Sequence, residues 1–310
     1  MASVHTTKPG APMTANIPRT AEGKVITSLK NRYHFPTVVN APHENEVPED
    51  YFGWDFGADD ELHPCPKKHW AYLGEITRIM RITRLVLTTR DMAGKEIPIA
   101  FYLKNRNGVV KHCNPNLSLY ENRSTVEDGV RMAVGQTIVV VYPEMHGFLD
   151  QSTGIKLESE GRMDFKVGTS RATLAEFNPL NLSQILPYSL NELLKANDTI
   201  VSQKLLNFEA KCDHCKKNIG RSLHCGRCQV SYYCNRVCTA EGLSPCVLQT
   251  DEAQDCQTAD WKPNPGSSPP SPGHQYMCKL YREVKWFSDR DWDDYTPHQK
   301  ISFPRPVSGS

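Results

Sequence analysis

Between Tyr51 and Pro187 the apolar positions fall in short runs rather than at helical spacing, as in "WAYLGEITRIMRITRLVLTT", "KEIPIAFYL" and "GQTIVVVYP". These runs are rich in β-branched and aromatic residues and bounded by Gly, Asn, Asp or Pro, which predicts strands. "RDMAGKE" carries the Asp and Gly of a hairpin turn, and "GIKLES" predicts a further short strand after "HGFLDQST". Four or five strands at hairpin spacing predict a small antiparallel barrel or sandwich over residues 51–187. In "YSLNELLKANDTIVSQKLLNFEA" the leucines move to helical spacing behind a Ser189/Glu192 capping box, so residues 188–210 read as a linking helix. Residues 1–50 show no sustained periodicity and read as a disordered tail. Residues 279–310 read as a C-terminal tail too short to fold alone, which packs back on the rest. The fold class is α+β.

Charge adds little. Lys+Arg number 36 against Asp+Glu 35, so the chain as a whole does not call for nucleic acid or an anionic membrane. No apolar run approaches the ~20 residues of a membrane-spanning helix, and the N-terminus lacks the apolar stretch of a secretory signal. The expectation is an intracellular protein with reduced thiols, nucleus and cytoplasm being indistinguishable. Eleven cysteines, nine of them between Cys212 and Cys278, then point to metal rather than disulfides.

The run "CDHCKKNIGRSLHCGRCQVSYYCNRVC" has the spacing C-x2-C-x9-C-x2-C-x5-C-x3-C. Close cysteine pairs turn two thiolates toward one tetrahedral Zn²⁺. Six ligands cannot complete two tetrahedra, and "HQYMC" supplies His274 and Cys278 one helical turn apart. With "YC" at Tyr233-Cys234 and "QTADW" at Gln257–Trp261, the pattern resembles the MYND zinc finger over residues 212–278. The resemblance implies a cross-braced pair of zinc sites: Cys212, Cys215, Cys234 and Cys238 around one ion, Cys225, Cys228, His274 and Cys278 around the other. It also exposes two interruptions. Removing Val237 to Gln254 turns the sequence into "YCNRDCQTADWK", a cleaner match, so residues 237–254 read as an insertion whose ends fit a retained intron; with it present, Cys256 is an alternative to Cys238. The second interruption is the Pro-rich loop 263–273. His214 and His224 sit beside ligands without a place in the pattern. Lys211, Lys216, Lys217, Arg221, Arg227 and Arg236 surround the thiolates, as a solvated face or to offset their charge.

Eight protein ligands leave no open coordination position, so this zinc reads as structural rather than catalytic. MYND fingers bind protein partners, and the resemblance assigns Gln257 and Trp261 to contact a proline-containing peptide. The reading is a zinc-dependent interaction module or adaptor, in transcription or another regulatory complex. No methyltransferase motif and no catalytic constellation accompanies it; His146 and Asp150 lie close in sequence without a nucleophile, and Cys65 and Cys113 read as ordinary thiols. The alternative is nucleic-acid binding through the β-rich domain, whose strand order looks similar to an OB-like barrel, with Arg78, Arg81, Arg84, Arg90, Tyr72, Phe101 and Tyr102 as candidates. Arg81 is out of phase with Arg78 and Arg84, and a solvated face explains the arginines as well.

Overall fold

Along one six-residue strand, Leu85, Leu87 and Thr89 are buried while Val86, Thr88 and Arg90 are not, the period of two expected of a strand with one face on a core. The computed structural model describes residues 26–56, 62–81, 84–102, 133–158, 183–205, 211–218, 222–234, 260–263, 265–266 and 272–295. Its strands are β1 (Phe52–Phe56), β2 (Leu62–Pro66), β3 (Ala71–Arg81), β4 (Leu85–Arg90), β5 (Glu96–Tyr102), β6 (Thr137–Val141), β7 (Met145–Gly147), β8 (Thr153–Glu158), β9 (Ser183–Leu186), β10 (Ser222–His224) and β11 (Tyr232–Cys234). Helices α1 (Leu190–Leu205) and α2 (His274–Ser288) complete an α+β fold. The described residues form two compact units, one drawn from 30–190 and 292–295, the other from 26–29 and 191–291.

The first unit is built on a seven-stranded sheet, in the order β7-β8-β5-β4-β3-β6-β9. Asp91 ties the β4–β5 turn, its carboxylate accepting from the N–H of Ala93 and Lys95, and Gly94 takes the left-handed backbone that the turn requires. Strand β3 pairs with β6 through residues 71–75 and with β4 through 75–81, with a bulge between Ile76 and Arg78. A bulge increases local twist and bends the strand. Gly74 allows the bend to be tight: a Cβ there would lie 2.6 Å from the Tyr72 ring, whose hydroxyl bonds Thr89 at 2.9 Å. Tyr72, Ile76, Leu85, Leu87, Ile97, Ile99, Phe101, Ile138, Val140, Met145, Ile155 and Leu157 form one core with Val38 and Ala41. Since, among the described residues, only those last two come from outside the sheet, it buries this face largely by curling on itself. The order β8-β5-β4-β3-β6, a meander flanked by one strand on each side, is similar to an OB-like barrel left open.

Two expectations need correction, and a third is met with more regular structure than expected. The sheet is not wholly antiparallel: β5 and β8 pair in parallel, Ile99 opposite Ile155. The chain leaves β5, adds β6 at the other side of the meander and returns, a crossover that local strand composition does not encode. Residues 26–50 are not a disordered tail, because Ile26, Leu29 and Phe35 are fully buried and Val38 and Ala41 enter the core; residues 1–25 lie outside the described part. The C-terminal segment is helical through Ser288 and continues into the first unit, where Trp292 is fully buried with its ring 4.6 Å from that of Phe35. His69 holds the same segment. Its Nε2–H donates to the Asp294 carbonyl at 3.1 Å, which leaves Nδ1 to accept from the Tyr142 hydroxyl.

In the second unit Leu193, Ala196 and Ile200 of α1 and Leu280, Val284 and Phe287 of α2 are buried together with Ile26 and Leu29. The spacing is that of one apolar stripe per helix. Fully buried Asn197 ties three segments: its Oδ1 accepts from Leu29 N–H at 2.8 Å, and its Nδ2 donates to Thr27 O and Ser288 Oγ. The predicted linking helix 188–210 is α1; Glu192 of the capping box accepts the Tyr276 hydroxyl at 2.6 Å.

Candidate metal centre

Cys225 and Cys228 sit on a tight turn after β10. Gln229 N–H donates to the Cys225 carbonyl at 2.8 Å and Cys225 N–H to the Ser231 carbonyl at 2.9 Å, with Gln229 at φ 58. This aims both side chains to one side. The first cysteine pair repeats the turn: Lys216 N–H donates to Cys212 O at 2.8 Å, Cys212 N–H to Lys217 O at 2.9 Å, and Lys216 has φ 61. There Cys215 N–H also points at Cys212 Sγ, 3.5 Å away.

His274 opens α2 and Cys278 follows one turn later on the same face. The helix start is set by Gly273, at φ 77, where a Cβ would lie 2.5 Å from the Lys262 backbone. Only glycine fits both the backbone angle and the approach. The helix thereby brings Nε2 of His274 to 3.8 Å from Cys228 Sγ, and Cys278 Sγ to 3.8 Å from Cys225 Sγ.

The ligand atoms of Cys225, Cys228, His274 and Cys278 all lie within 4.8 Å of one another, and all four residues are buried. A tetrahedron with metal–sulfur distances near 2.3 Å has edges of about 3.8 Å, so the group fits a four-coordinate cation such as zinc. His274 is prepared for the role. Its Nδ1 lies 3.1 Å from Ser231 Oγ, so Nε2 is the ring nitrogen that faces the thiols. The rings of Tyr233 and Trp261 lie 5.7 and 5.8 Å from the imidazole, and Tyr233 donates to Asp260 at 2.9 Å.

Electrostatics agree. Burial pushes the Cys228 thiol up, but hydrogen bonds from His274 and from the N–H groups of Ser231 and Val230 bring it down to about 6. Burial works to lower His274, yet the Cys228 and Cys225 sulfurs hold it up to about 9. Cys278, buried and facing negative charge on both neighbours, is driven up to about 12. Thiolates this close repel one another, and a dication removes the repulsion.

The other sequence-predicted residues separate. Cys212 is buried and Cys215 half-buried; of Cys234 the backbone is described, on β11 opposite Ser222. Tyr232 of the same strand accepts from Asp213 N–H and donates to its carboxylate, which links the first cysteine pair to this hairpin. Cys238, Cys256, Gln257, the insertion 237–254 and Cys113 lie outside the described residues. His214 and His224 are exposed and absent from the cluster. His146 bonds Glu44 at 2.6 Å while Asp150 bonds Ser152, so these two do not form a pair. Tyr72 and Phe101 are buried in the sheet core and cannot contact nucleic acid, a correction that follows from their phase on β3 and β5. Ser231 and Gly273 escaped the sequence reading. A glycine directly before the H-x3-C pair was the available signal for Gly273.

No sequence-family model and no curated protein matches this chain. Among solved structures, a chain of the S. pombe Stn1–Ten1 complex is similar at 15% identity, over 39% of this chain and 72% of that one, with a TM-score of 0.22. No helix among the described residues is long and apolar enough to cross a membrane.

Proposed function

We propose that the chain is a zinc-supported protein-interaction protein whose second unit is a MYND-type finger. The observation that supports this most is the convergence of Cys225, Cys228, His274 and Cys278 into one buried four-ligand group. With four protein ligands the ion has no open position for water or substrate, so its role is structural. The shared backbone turn of the two cysteine pairs supports a second ion at Cys212 and Cys215, completed by Cys234 and by Cys238 or Cys256.

Function then rests on the surface that the metal holds in shape. Trp261 is half-buried, with its ring beside His274, so metal loading fixes an indole at the edge of the site. An indole shelf suits an extended proline-containing peptide, whose polyproline II backbone is ordered before binding. Gln257 is the second contact on this reading. An adaptor role in a regulatory complex follows.

The test uses the full chain. Native mass spectrometry is expected to find two zinc ions, one of them lost in Cys225→Ser. Calorimetry with a proline-rich peptide is expected to show binding that disappears in Trp261→Ala at unchanged zinc content. Absence of metal, or peptide binding indifferent to Trp261, would sink the reading.

A further inference from the structure

The curled sheet has an outer face as well as a core face. Along β4 and β5 the outward positions pair as Arg90 with Glu96, Thr88 with Pro98 and Val86 with Ala100. Arg90 and Glu96 form an ion pair at 3.5 Å at one end of this row. At the other end the half-buried ring of Tyr102 carries two cations. The Arg84 guanidinium lies 4.1 Å from its centroid and the Lys156 ammonium, from β8, 5.0 Å. Between the ends Val86, Thr88 and Pro98 are half-buried and Ala100 is buried, all with short side chains, so the row forms a low track. Exposed Arg78 flanks it, opposite Thr88 on β3.

An aromatic ring at the surface of a sheet, with fixed positive charges on it and a third beside the same track, matches the needs of an unpaired nucleotide strand. The phosphates meet the cations, and an unstacked base lies against the ring or the guanidinium plane. A duplex offers the charges but no free base face. The chain as a whole is nearly neutral, so any such attraction is local to this face rather than a property of net charge. We propose that the β4–β5 outer face binds single-stranded nucleic acid, with Tyr102, Arg84 and Lys156 as its anchor. This site is on the first unit and includes no residue of the metal centre.

The test is fluorescence anisotropy of the full-length protein with a labelled mixed-sequence single strand. Neutralisation of phosphates by Arg78, Arg84 and Lys156 gives an expected slope of about −2 in log affinity against log salt. Loss of a stacking ring or its cation is expected to weaken binding roughly tenfold in Tyr102→Leu and in Arg84→Ala. Tyr102→Phe, which keeps the ring, is expected to stay near wild type and guards against a folding defect. Arg90→Ala removes the same charge from the same face, but from the paired end, and is expected to change little. The proposal is overturned by absence of binding, by equal losses in Arg84→Ala and Arg90→Ala, or by polyglutamate displacing the strand as well as unlabelled oligonucleotide does. That last result would assign the face to an acidic protein.

Discussion

His274 depends on a residue that is not a ligand. The Ser231 hydroxyl takes its Nδ1 and so fixes which nitrogen faces the thiols. Ser231→Ala is expected to lower zinc affinity roughly tenfold, at the low end for such supporting contacts, without removing a ligand; competition against a fluorescent zinc chelator measures it. The ligands themselves were legible because metal geometry constrains spacing, whereas Ser231 was not, since no spacing rule ties a hydroxyl to an imidazole 43 residues away. A second residue-scale case is Lys68, whose side chain is buried with its ammonium 3.1 Å from the Tyr33 ring centroid and 4.2 Å from that of Tyr51. Burial lowers it from an ordinary 10.5 to about 7, while Asp50 and Asp293 pull the other way. Between these values the unfolded chain binds more protons than the folded one, so this group makes stability rise with pH from about 7 toward 10 and imposes its full penalty below 7. In Lys68→Met that rise is expected to shrink, which urea midpoints at pH 7, 8.5 and 10 would reveal.

At the scale of elements, α2 is positioned from both ends. Gly273 sets its start, and Gly273→Ala is expected to cost at least about 1–3 kcal/mol from the backbone angle alone, before the collision with Lys262 is relieved. Thermal stability and zinc content should fall together, because displacing the helix start displaces His274. Near its other end Ser288 joins Asn197 of α1 and Thr27 in one buried network. Asn197→Ala leaves the Leu29 N–H buried without a partner, an expected loss of about 1–3 kcal/mol. Faster amide exchange in α1 and α2 would locate that loss. Helix α1 was legible from leucine spacing and the first turn of α2 from the H-x3-C pair, whereas the rest of α2 read as tail. The role of residues 26–29 was not, because an extended segment that serves as a strap carries no periodicity of its own.

On the scale of the whole molecule, sequence reading recovered the two kinds of structure, a β-rich part and a cysteine-rich part, because each has a local signature. It missed how the chain shares them out. Residues 26–29 belong with the second unit and 292–295 with the first, so these two segments are allotted by long-range packing that hydrophobic patterning cannot encode. The parallel β5–β8 pair was hidden for the same reason. This division makes a prediction about metal removal. The sheet unit has its own continuous apolar core, while the second unit adds to its helix packing a group of cysteines whose thiolates repel without a cation. Chelation is therefore expected to raise amide exchange across residues 222–234 and the first turns of α2, and to leave β3, β4 and β6 as protected as before. Loss of protection in the sheet as well would show that the two units unfold as one, and would make the metal a support for the whole chain rather than for the second unit alone.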